Sequence, residues 1–333
     1  MTFSAVLFGS AATRAPLLRE FVRTPWEFHS IPDETDVSTA AAHLAEAAAF
    51  VGNSFPSALA GAARRLRLIQ CVGAGADLFD LADLPPGCAL CNVHEHEIPI
   101  AEYIVLCVLL FATGLIEADR AFRQGLWLGS GRYDGAFHQE AFGRTIGFIG
   151  FGHIGRAAAA RARALGMKTL AVRRRPEPHP DLEACYAFSE LPRLLGECDY
   201  LAVACPLTPE TRGLLGEREL RMLRPHAVLI NPARAAIVDE AALYRALRER
   251  WFAGAALDVW YEYPARPDAG MHGSRYPFHE LPNVIVTPHR SAWTLAMVRR
   301  RFRRIAENLD RVARGEPPER ILYQASASPH ERA

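Results

Sequence analysis

Three glycines in the middle of the chain have the spacing of a nucleotide-binding turn. Gly150, Gly152 and Gly155 follow an apolar run and precede an alanine-rich stretch. In this spacing the first glycine permits a tight turn, the second lets the backbone approach a pyrophosphate, and the third lets a helix pack closely on a strand. The N–H groups at the start of that helix face the phosphates. The sequence therefore predicts that Gly150, Gly152, His153, Ile154 and Gly155 bind a dinucleotide.

Basic residues stand where such a turn is usually followed by an acid. The next apolar run, "KTLAV", is followed by Arg173, Arg174 and Arg175. A carboxylate at this place binds the ribose 2′-OH of NAD and repels a 2′-phosphate, whereas guanidinium groups bind that phosphate. We expect a preference for NADP(H), with Arg173 and Arg174 as the contacts and NAD(H) as the second cofactor. The alternative is an exposed basic turn without preference.

Polar residues also end the later apolar runs. The segments "YLAVACP", "AVLINPA", "AGAALDV" and "NVIVTPH" read as strands, and at or just beyond their ends stand Cys205, Asn231, Arg234, Asp258 and His289. Ligands of a doubly wound parallel sheet bind outside the carboxyl ends of its strands. We therefore expect these residues to converge on one crevice.

The run "NVHEHEIPIAEY" alternates bases and acids over His94–Glu97. Cys88 and Cys91 precede it, but a zinc site of this kind normally has a second ligand pair downstream, and the sequence shows none. A buried strand with two small thiols is favoured, so no metal site is predicted. Three roles stay open for His96 and Glu97: substrate recognition, which is favoured, hinge or surface polarity, and metal binding.

The elements that position these residues form two regions of alternating strand and helix. In the first region, strands such as "SAVLFGS" alternate with predicted helices at "RAPLLREFVRT" and "SALAGAARRL". One long buried helix is predicted from Ile98 to about Ala121, followed by a loop over 122–143 and the second alternating region. The arginine-rich helix "LAMVRRRFRRIAENLDRVARG" is expected to be solvated. This alternation favours parallel sheets with helices on both faces.

Composition narrows the class of protein. With 333 residues the chain is long enough for two domains, and its net charge of +1 offers no electrostatic case for nucleic acid or an anionic membrane. No apolar stretch reaches the ~20 residues that span a bilayer. The N-terminus lacks a basic leader, and the 7 cysteines are scattered. We expect a cytoplasmic protein with reduced thiols.

Taken in order, the motifs resemble those of the D-isomer-specific 2-hydroxyacid dehydrogenases. The matching segments are "VGAGAD", "PIAEY", "GRTIGFIGFGHIG", "CPLTPETRGLL", "INPARAAIVDEAAL", "GAALDV" and "VIVTPH", which together cover most of the chain. The resemblance implies an α/β fold of two doubly wound parallel-sheet domains. A Rossmann cofactor domain (99–292) is inserted in a flavodoxin-like substrate domain (1–98 and 293–333). It also implies a homodimer.

The same resemblance implies roles for individual residues. Arg234 matches the arginine that holds the substrate carboxylate, and His289 matches the histidine that exchanges a proton with the substrate oxygen. Gly73, Ala74 and Gly75 match a loop whose N–H groups bind that carboxylate. Asp258 matches the residue that binds the nicotinamide carboxamide. The remaining positions of the cofactor motifs are Cys205, Pro206, Thr211 and Asn231.

The segment "LDVWYEYP" departs from the family pattern. Family members place a glutamate five residues after the aspartate, where it bonds the histidine and raises its pKa. Here the fifth residue after Asp258 is Tyr263, and Glu262 comes one position early. Glu262 could reach His289 through a local shift, Tyr263 could bond it directly, or the partner could come from elsewhere, such as a glutamate of His94–Glu97. Tyr263 is favoured because a slip of one residue reverses side-chain direction in an extended chain.

The prediction is an NAD(P)-dependent oxidoreductase that interconverts a small anionic 2-ketoacid and the D-2-hydroxyacid. One alternative is a formate- or phosphite-type dehydrogenase, in which no carbonyl must be protonated. Another is a dinucleotide-sensing binding protein with weak turnover, as in the corepressor branch of the family. The presence of both Arg234 and His289 argues against the sensing protein.

Overall fold

The computed structural model describes residues 2–76, 78–129, 131–133 and 135–325, so the end of the predicted C-terminal segment, 326–333, lies outside the described residues. The chain divides into two compact units. Unit 1 comprises Met1–Glu95 and Thr294–Ala333, and unit 2 comprises His96–Trp293.

The described residues form strands and helices in regular alternation. The strands are β1 (Phe3–Phe8), β2 (Trp26–Ile31), β3 (Ala49–Gly52), β4 (Leu68–Cys71), β5 (Ala89–Cys91), β6 (Thr145–Ile149), β7 (Lys168–Val172), β8 (Ala184–Tyr186), β9 (Tyr200–Val203), β10 (Val228–Asn231), β11 (Gly254–Leu257), β12 (Val284–Val286) and β13 (Ile321–Gln324). The α-helices are α1 (Ala15–Phe21), α2 (Val37–Leu44), α3 (Glu97–Thr113), α4 (Leu115–Arg123), α5 (His153–Ala164), α6 (Leu191–Glu197), α7 (Glu217–Leu220), α8 (Glu240–Arg248) and α9 (Leu295–Ala313).

Unit 1 is built on a six-stranded sheet with the order β13-β5-β4-β3-β1-β2. All neighbours are parallel except β13, which pairs antiparallel with β5 at the edge. Successive side chains of a strand face opposite sides of the sheet. Accordingly Val6 and Phe8 pack with Leu44 of α2 on one face, while α9 packs against β4 and α1. The parallel order 2-1-3-4-5 is that of flavodoxin-like sheets.

Unit 2 contains an entirely parallel seven-stranded sheet with the order β12-β11-β10-β9-β6-β7-β8. Ile149 and Val203 belong to one buried cluster and Phe148 and Ala202 to another, so both faces are covered. From β8 to β11 the strand order corresponds to the order 3-2-1-4-5-6 of Rossmann folds. All these strands are parallel, and the side of the sheet on which successive strands are added changes between β6 and β9. The predicted fold class, two doubly wound parallel sheets, is confirmed.

Two local predictions were wrong. The predicted long helix is two helices, α3 and α4, which meet at Gly114 with a bend of 58°. Gly114 has φ +60°, a left-handed conformation that glycine adopts without strain and that ends α3. The predicted helix at "SALAGAARRL" is only a 3₁₀ segment, Ser57–Ala62.

Helix lengths also bear on membrane spanning. Among the described residues, none of the single helices is long and apolar enough to cross a bilayer, and only the bent pair of α3 and α4, taken together, meets the requirements of length and composition.

Candidate active site

The glycine turn of unit 2 joins β6 to α5 and has no room for side chains at two of its three glycines. Gly150 has φ +88°. A Cβ there would lie 2.8 Å from the backbone of Cys205, which comes shortly after the neighbouring strand β9. A Cβ at Gly155 would lie 2.9 Å from the Gly150 carbonyl oxygen. At Gly152 a Cβ would contact no atom within 4 Å. The turn is therefore closely packed against the sheet and open at its middle glycine.

The helix that follows offers its N-terminus to the same turn. Helix α5 is 12 residues long, begins at His153 and has Gly152 as its N-cap, without a side-chain hydrogen bond to the cap. The first N–H groups of such a helix attract phosphate, and the helix dipole adds positive potential. The open glycine, the helix N-terminus and the closely packed strand–helix turn fit the pyrophosphate of a nicotinamide dinucleotide.

The predicted 2′-phosphate contacts lie beside this turn. The Gly150 N–H donates to the carbonyl of Val172, the last residue of β7, so Arg173 begins immediately next to the glycine turn. Arg173 is half-buried and lies 3.5 Å from the Glu177 carboxylate, while Arg174 is exposed. The strand thus ends in two guanidinium groups.

The loop after β9 is held by its own side chain. Thr211 is buried, and its hydroxyl donates to the Pro206 carbonyl at 2.7 Å and accepts from the Thr208 N–H at 2.8 Å. Cys205 is also buried, and this burial raises the pKa of its thiol to about 12. The Thr211 side chain therefore fixes the shape of the loop that carries Cys205 and Pro206.

Asn231 performs a similar task for Arg234. The Asn231 amide donates to the Arg234 carbonyl at 3.1 Å and accepts from the Ala233 N–H at 3.1 Å. The turn after β10 therefore has a fixed backbone. The half-buried Arg234 guanidinium donates to the Ala233 carbonyl at 2.9 Å.

His289, Tyr263 and Arg234 are brought together in unit 2. The Tyr263 hydroxyl lies 2.9 Å from Nδ1 of His289 and accepts from the Trp260 N–H at 3.3 Å. Burial raises the pKa of Tyr263 and the Arg234 charge partly opposes this rise, whereas burial lowers the pKa of His289 and the Arg234 charge adds to that fall. Glu262 is exposed and lies near Arg275, whose pKa it helps to raise. The contact expected of Tyr263 in the glutamate position is present.

The electrostatic surroundings of His289 favour its neutral form. Desolvation by neighbouring atoms lowers its pKa from the ordinary value of 6.5; the Asp258 carboxylate opposes this and Arg234 adds to it. A phenol carries no charge at neutral pH, so Tyr263 cannot hold the imidazolium as a glutamate does. Because Nδ1 is bonded to Tyr263, the other ring nitrogen, Nε2, is left for a reactant.

Asp258 shapes the loop that carries His289. Its side chain is fully buried and accepts from the Thr287 hydroxyl at 2.6 Å, the Arg290 N–H at 2.8 Å and the Ser291 N–H at 2.9 Å. His289 itself has φ +53°, a left-handed conformation that costs on the order of 1–3 kcal/mol outside glycine. The bonds to Asp258 on either side of His289 hold it in this conformation.

Sequence reasoning missed the residues that support this loop. Tyr103 bonds the Thr287 hydroxyl at 3.0 Å, and Trp260 donates from Nε1 to the Thr287 carbonyl at 2.9 Å. Thr287 lies in the segment "VIVTPH", directly after β12, and this position at a strand end is the sequence signal for it. Tyr103 stands in an apolar helix far from Thr287 in sequence, so no local pattern indicates its contact.

The predicted substrate loop Gly73–Gly75 belongs to unit 1 and follows β4. Its residues are partly or fully exposed, and a Cβ at Gly73 would contact no atom within 4 Å. In the described part of the chain, the N–H groups of Ala74, Gly75 and Ala76 have no hydrogen-bond partner. The loop can therefore donate several backbone N–H groups to an anion.

Within the run His94–Glu97, Glu95 is bound to the C-terminal helix of its own unit. Its carboxylate lies 3.4 Å from Arg300 and 3.4 Å from Arg304, and its carbonyl accepts from Arg300 at 3.1 Å. Its φ of +74° is left-handed. Glu95 thus ties the end of the first segment to α9, and the side chain that contacts Nδ1 of His289 is Tyr263. The predicted role of His96, which precedes α3 as its N-cap, stays a prediction.

Similarity to known proteins agrees with this geometry. The model of the family described as D-isomer specific 2-hydroxyacid dehydrogenase, NAD binding domain, matches residues 105–291. A glyoxylate reductase of Thermococcus gammatolerans is 35% identical over 268 residues, which cover 78% of this chain and 77% of that protein.

Solved structures show the same fold. A D-isomer specific 2-hydroxyacid dehydrogenase family protein from Aeromonas salmonicida superposes with a TM-score of 0.80 at 24% identity, covering 97% of this chain and 99% of the other. The D-isomer specific 2-hydroxyacid dehydrogenase from Xanthobacter autotrophicus Py2, in complex with NADPH and MES, gives 0.77 at 27% identity, with 97% and 98% covered. The chain belongs to the D-isomer specific 2-hydroxyacid dehydrogenase family and is an NAD(P)-dependent 2-hydroxyacid oxidoreductase.

Proposed function

We propose that the chain reduces glyoxylate to glycolate, or a similarly small 2-ketoacid to the corresponding D-2-hydroxyacid, with NADPH as the preferred reductant. The observation that carries the proposal is the grouping of His289, Tyr263 and Arg234 in unit 2, which also contains the glycine turn. Glyoxylate is the substrate named for the relatives. Unit 2 would bind the cofactor and unit 1 would contribute the loop Gly73–Gly75 to the substrate.

Arg234 is proposed to hold and orient the substrate carboxylate. A planar guanidinium matches a carboxylate with two parallel hydrogen bonds, and the fixed backbone of its turn limits where it can point. The same positive charge stabilises negative charge that develops on the neighbouring carbonyl oxygen.

His289 is proposed to deliver the proton to that oxygen from Nε2. A bound nicotinamide dinucleotide supplies the hydride. In the imidazolium form, Nδ1–H donates to the Tyr263 oxygen; after Nε2 has given up its proton, the neutral ring keeps Nδ1–H and the same bond. Tyr263 therefore holds the ring in one orientation through both states, while Asp258 and Thr287 hold the loop.

NADPH preference is proposed from the end of β7. Arg173 and Arg174 stand next to the glycine turn, and no carboxylate occupies the first positions after Val172. Two guanidinium groups attract the 2′-phosphate of NADPH, and NADH lacks this phosphate.

A homodimer is proposed from the surface of unit 2. Large apolar side chains on α3, α4 and the following loop are exposed, and contiguous surfaces of this kind usually mark protein interfaces. They include Leu106, Leu115, Phe122, Leu126, Trp127, Leu128, Tyr133, Phe137 and Phe142. Sedimentation equilibrium should give twice the chain mass, and Phe122→Glu should shift it towards the monomer.

The test of the reaction is NADPH oxidation followed at 340 nm with glyoxylate, hydroxypyruvate and pyruvate. The wild-type chain should turn over at least one of them, and chiral analysis of the larger products should give the D-acid. Arg234→Gln should raise KM for the acid strongly while NADPH binding persists. Reduction of NADP⁺ by formate or phosphite, without any ketoacid turnover, would contradict the proposal.

A further inference from the structure

We infer that the Cys71 thiol and the Asn92 amide hold the loop Gly73–Gly75 in the orientation that presents its N–H groups to the substrate carboxylate. Both are then positioning residues of the reaction. The inference rests on the proposed function, in which this loop binds the carboxylate.

The first observation is that every carbonyl of the loop is bonded to the body of unit 1. Asn92 donates from Nδ2 to the Ala74 carbonyl at 2.8 Å, and the Val93 N–H donates to the Gly73 carbonyl at 3.0 Å. The Cys71 thiol donates to the Gly75 carbonyl at 3.3 Å. Cys71 and Asn92 are both buried, with 1% and 5% of their surfaces exposed.

The second observation concerns the sulfur itself. Cys71 Sγ also accepts from the Gly73 N–H at 3.4 Å. A thiol can donate and accept at once, so one side chain bonds the first and the last residue of the loop. Cys71 thus closes the loop into a short ring, with Asn92 fixing the peptide in its middle.

Peptide geometry turns these contacts into a binding surface. In a planar trans peptide the carbonyl and the next N–H point in opposite directions, and the described chain has no cis peptide. With the carbonyls of residues 73–75 directed inward, the N–H groups of Ala74, Gly75 and Ala76 are directed outward. None of these three N–H groups has a hydrogen-bond partner in the described part of the chain. Successive outward N–H groups form an anion-binding concavity.

Another cysteine of unit 1, Cys88, does not make these contacts with the loop. Cys88 is fully buried, and its thiol lies 3.8 Å from the Ala89 carbonyl oxygen and also bonds the Ile69 backbone. Burial raises the pKa of Cys88 to about 12. Removing the Cys88 thiol leaves the loop bonds intact, whereas removing the Cys71 thiol leaves the Gly75 carbonyl and the Gly73 N–H without it. Cys88→Ala is therefore a matched control for Cys71→Ala.

The experiment compares Cys71→Ala, Cys71→Ser, Asn92→Ala and Cys88→Ala in the full chain. Steady-state kinetics with glyoxylate give KM and kcat, and titrations give Kd for oxamate in the presence of NADPH and Kd for NADPH alone. Cys71→Ala and Asn92→Ala should each raise KM and the oxamate Kd about 10-fold, the worth of one or two lost hydrogen bonds. Their kcat should stay within about 2-fold, and NADPH binding should not change.

The serine variant separates positioning from packing. A hydroxyl donates and accepts as a thiol does, so Cys71→Ser should return KM to within about 3-fold of wild type. Equal KM values for the Cys71→Ala and Cys88→Ala variants, or a serine variant no better than alanine, would overturn the inference. If Cys71→Ala does not fold, Asn92→Ala carries the same test, and an unchanged oxamate Kd there overturns it.

Failure of the proposed function has a different signature. A wild-type chain that neither reduces 2-ketoacids nor binds oxamate would overturn both the function and the positioning role. A wild-type chain that does both, with a Cys71→Ala variant that matches it, would overturn the positioning role alone.

Discussion

The glycine turn of unit 2 and the loop Gly73–Gly75 of unit 1 both expose backbone N–H groups after a parallel strand, but they are fixed by different forces. In the turn the cause is steric: Gly150 has φ +88°, and a Cβ there would lie 2.8 Å from the Cys205 backbone. In the loop, Gly73 has space for a side chain, and hydrogen bonds to the carbonyls set the peptide orientation.

The two units also differ in what their residues can do. Unit 2 combines its turn with a titratable group, His289, bonded to Tyr263 and influenced by Arg234. The described loop of unit 1 offers N–H groups, which bind charge but exchange no proton. Changes at His289 or at the glycine turn of unit 2 should therefore alter kcat or cofactor affinity, and changes in the unit 1 loop should alter KM for the acid.

The largest effect should come from His289. His289→Ala removes the proton donor while leaving both anion-binding loops in place, so kcat should fall by about 10²–10⁴-fold. NADPH Kd, measured by fluorescence titration, should stay near the wild-type value. His279→Ala, at a second histidine of unit 2, is the control and should have little effect. A His289→Ala variant with nearly normal kcat would remove the chemical distinction between the units.

Alanine at the two glycines tests the steric difference directly. Gly150→Ala forces a left-handed residue and a collision with backbone, so NADPH Kd should rise by about 100-fold. Gly73→Ala meets no such collision and should leave NADPH binding and the melting temperature unchanged, with any loss confined to KM for glyoxylate. A loss of NADPH affinity in Gly73→Ala would contradict the separation.

Cofactor selection should give a smaller effect, limited to unit 2. The double variant Arg173→Ser with Arg174→Ser removes two guanidinium groups, so KM for NADPH should rise about 10-fold while KM for NADH changes little. Arg175→Ser, on the same exposed turn, serves as the matched control. Wild-type catalytic efficiency that is equal or better with NADH would refute the preference.

The smallest effect is a shift in pH dependence. Reduction needs the protonated imidazole, and the pKa of His289 lies below its ordinary value of 6.5, so kcat/KM for reduction should fall as pH rises through the region below 6.5. Tyr263→Glu places a negative charge at Nδ1 and should move this decline in kcat/KM to higher pH, by about one pH unit or more.

Two further variants locate the partner of His289. Glu262→Gln should leave the profile unchanged, because Glu262 lies by Arg275. A profile that moves in Glu262→Gln but not in Tyr263→Phe would identify Glu262 as the partner.

The sequence by itself determined the fold class and the glycine turn. Strand–helix alternation and polar residues after apolar runs are local patterns, and at Gly150 and Gly155 a Cβ would collide with neighbouring atoms. Arg234 and His289 could be found from the sequence because each lies shortly after a recognisable strand, β10 or β12.

The tertiary structure alone decided which side chains meet. Tyr263 reaches His289 because the chain turns between Trp260 and Tyr263, a turn in which the N–H groups of Tyr261 and Glu262 both donate to Gly273. Spacing along an extended chain could only favour this partner, because side-chain direction depends on backbone bonds made far away in sequence. In the sequence Cys71 is one of 7 scattered cysteines. Its bonds to the loop depend on peptide orientation, which leaves no pattern in the residue types.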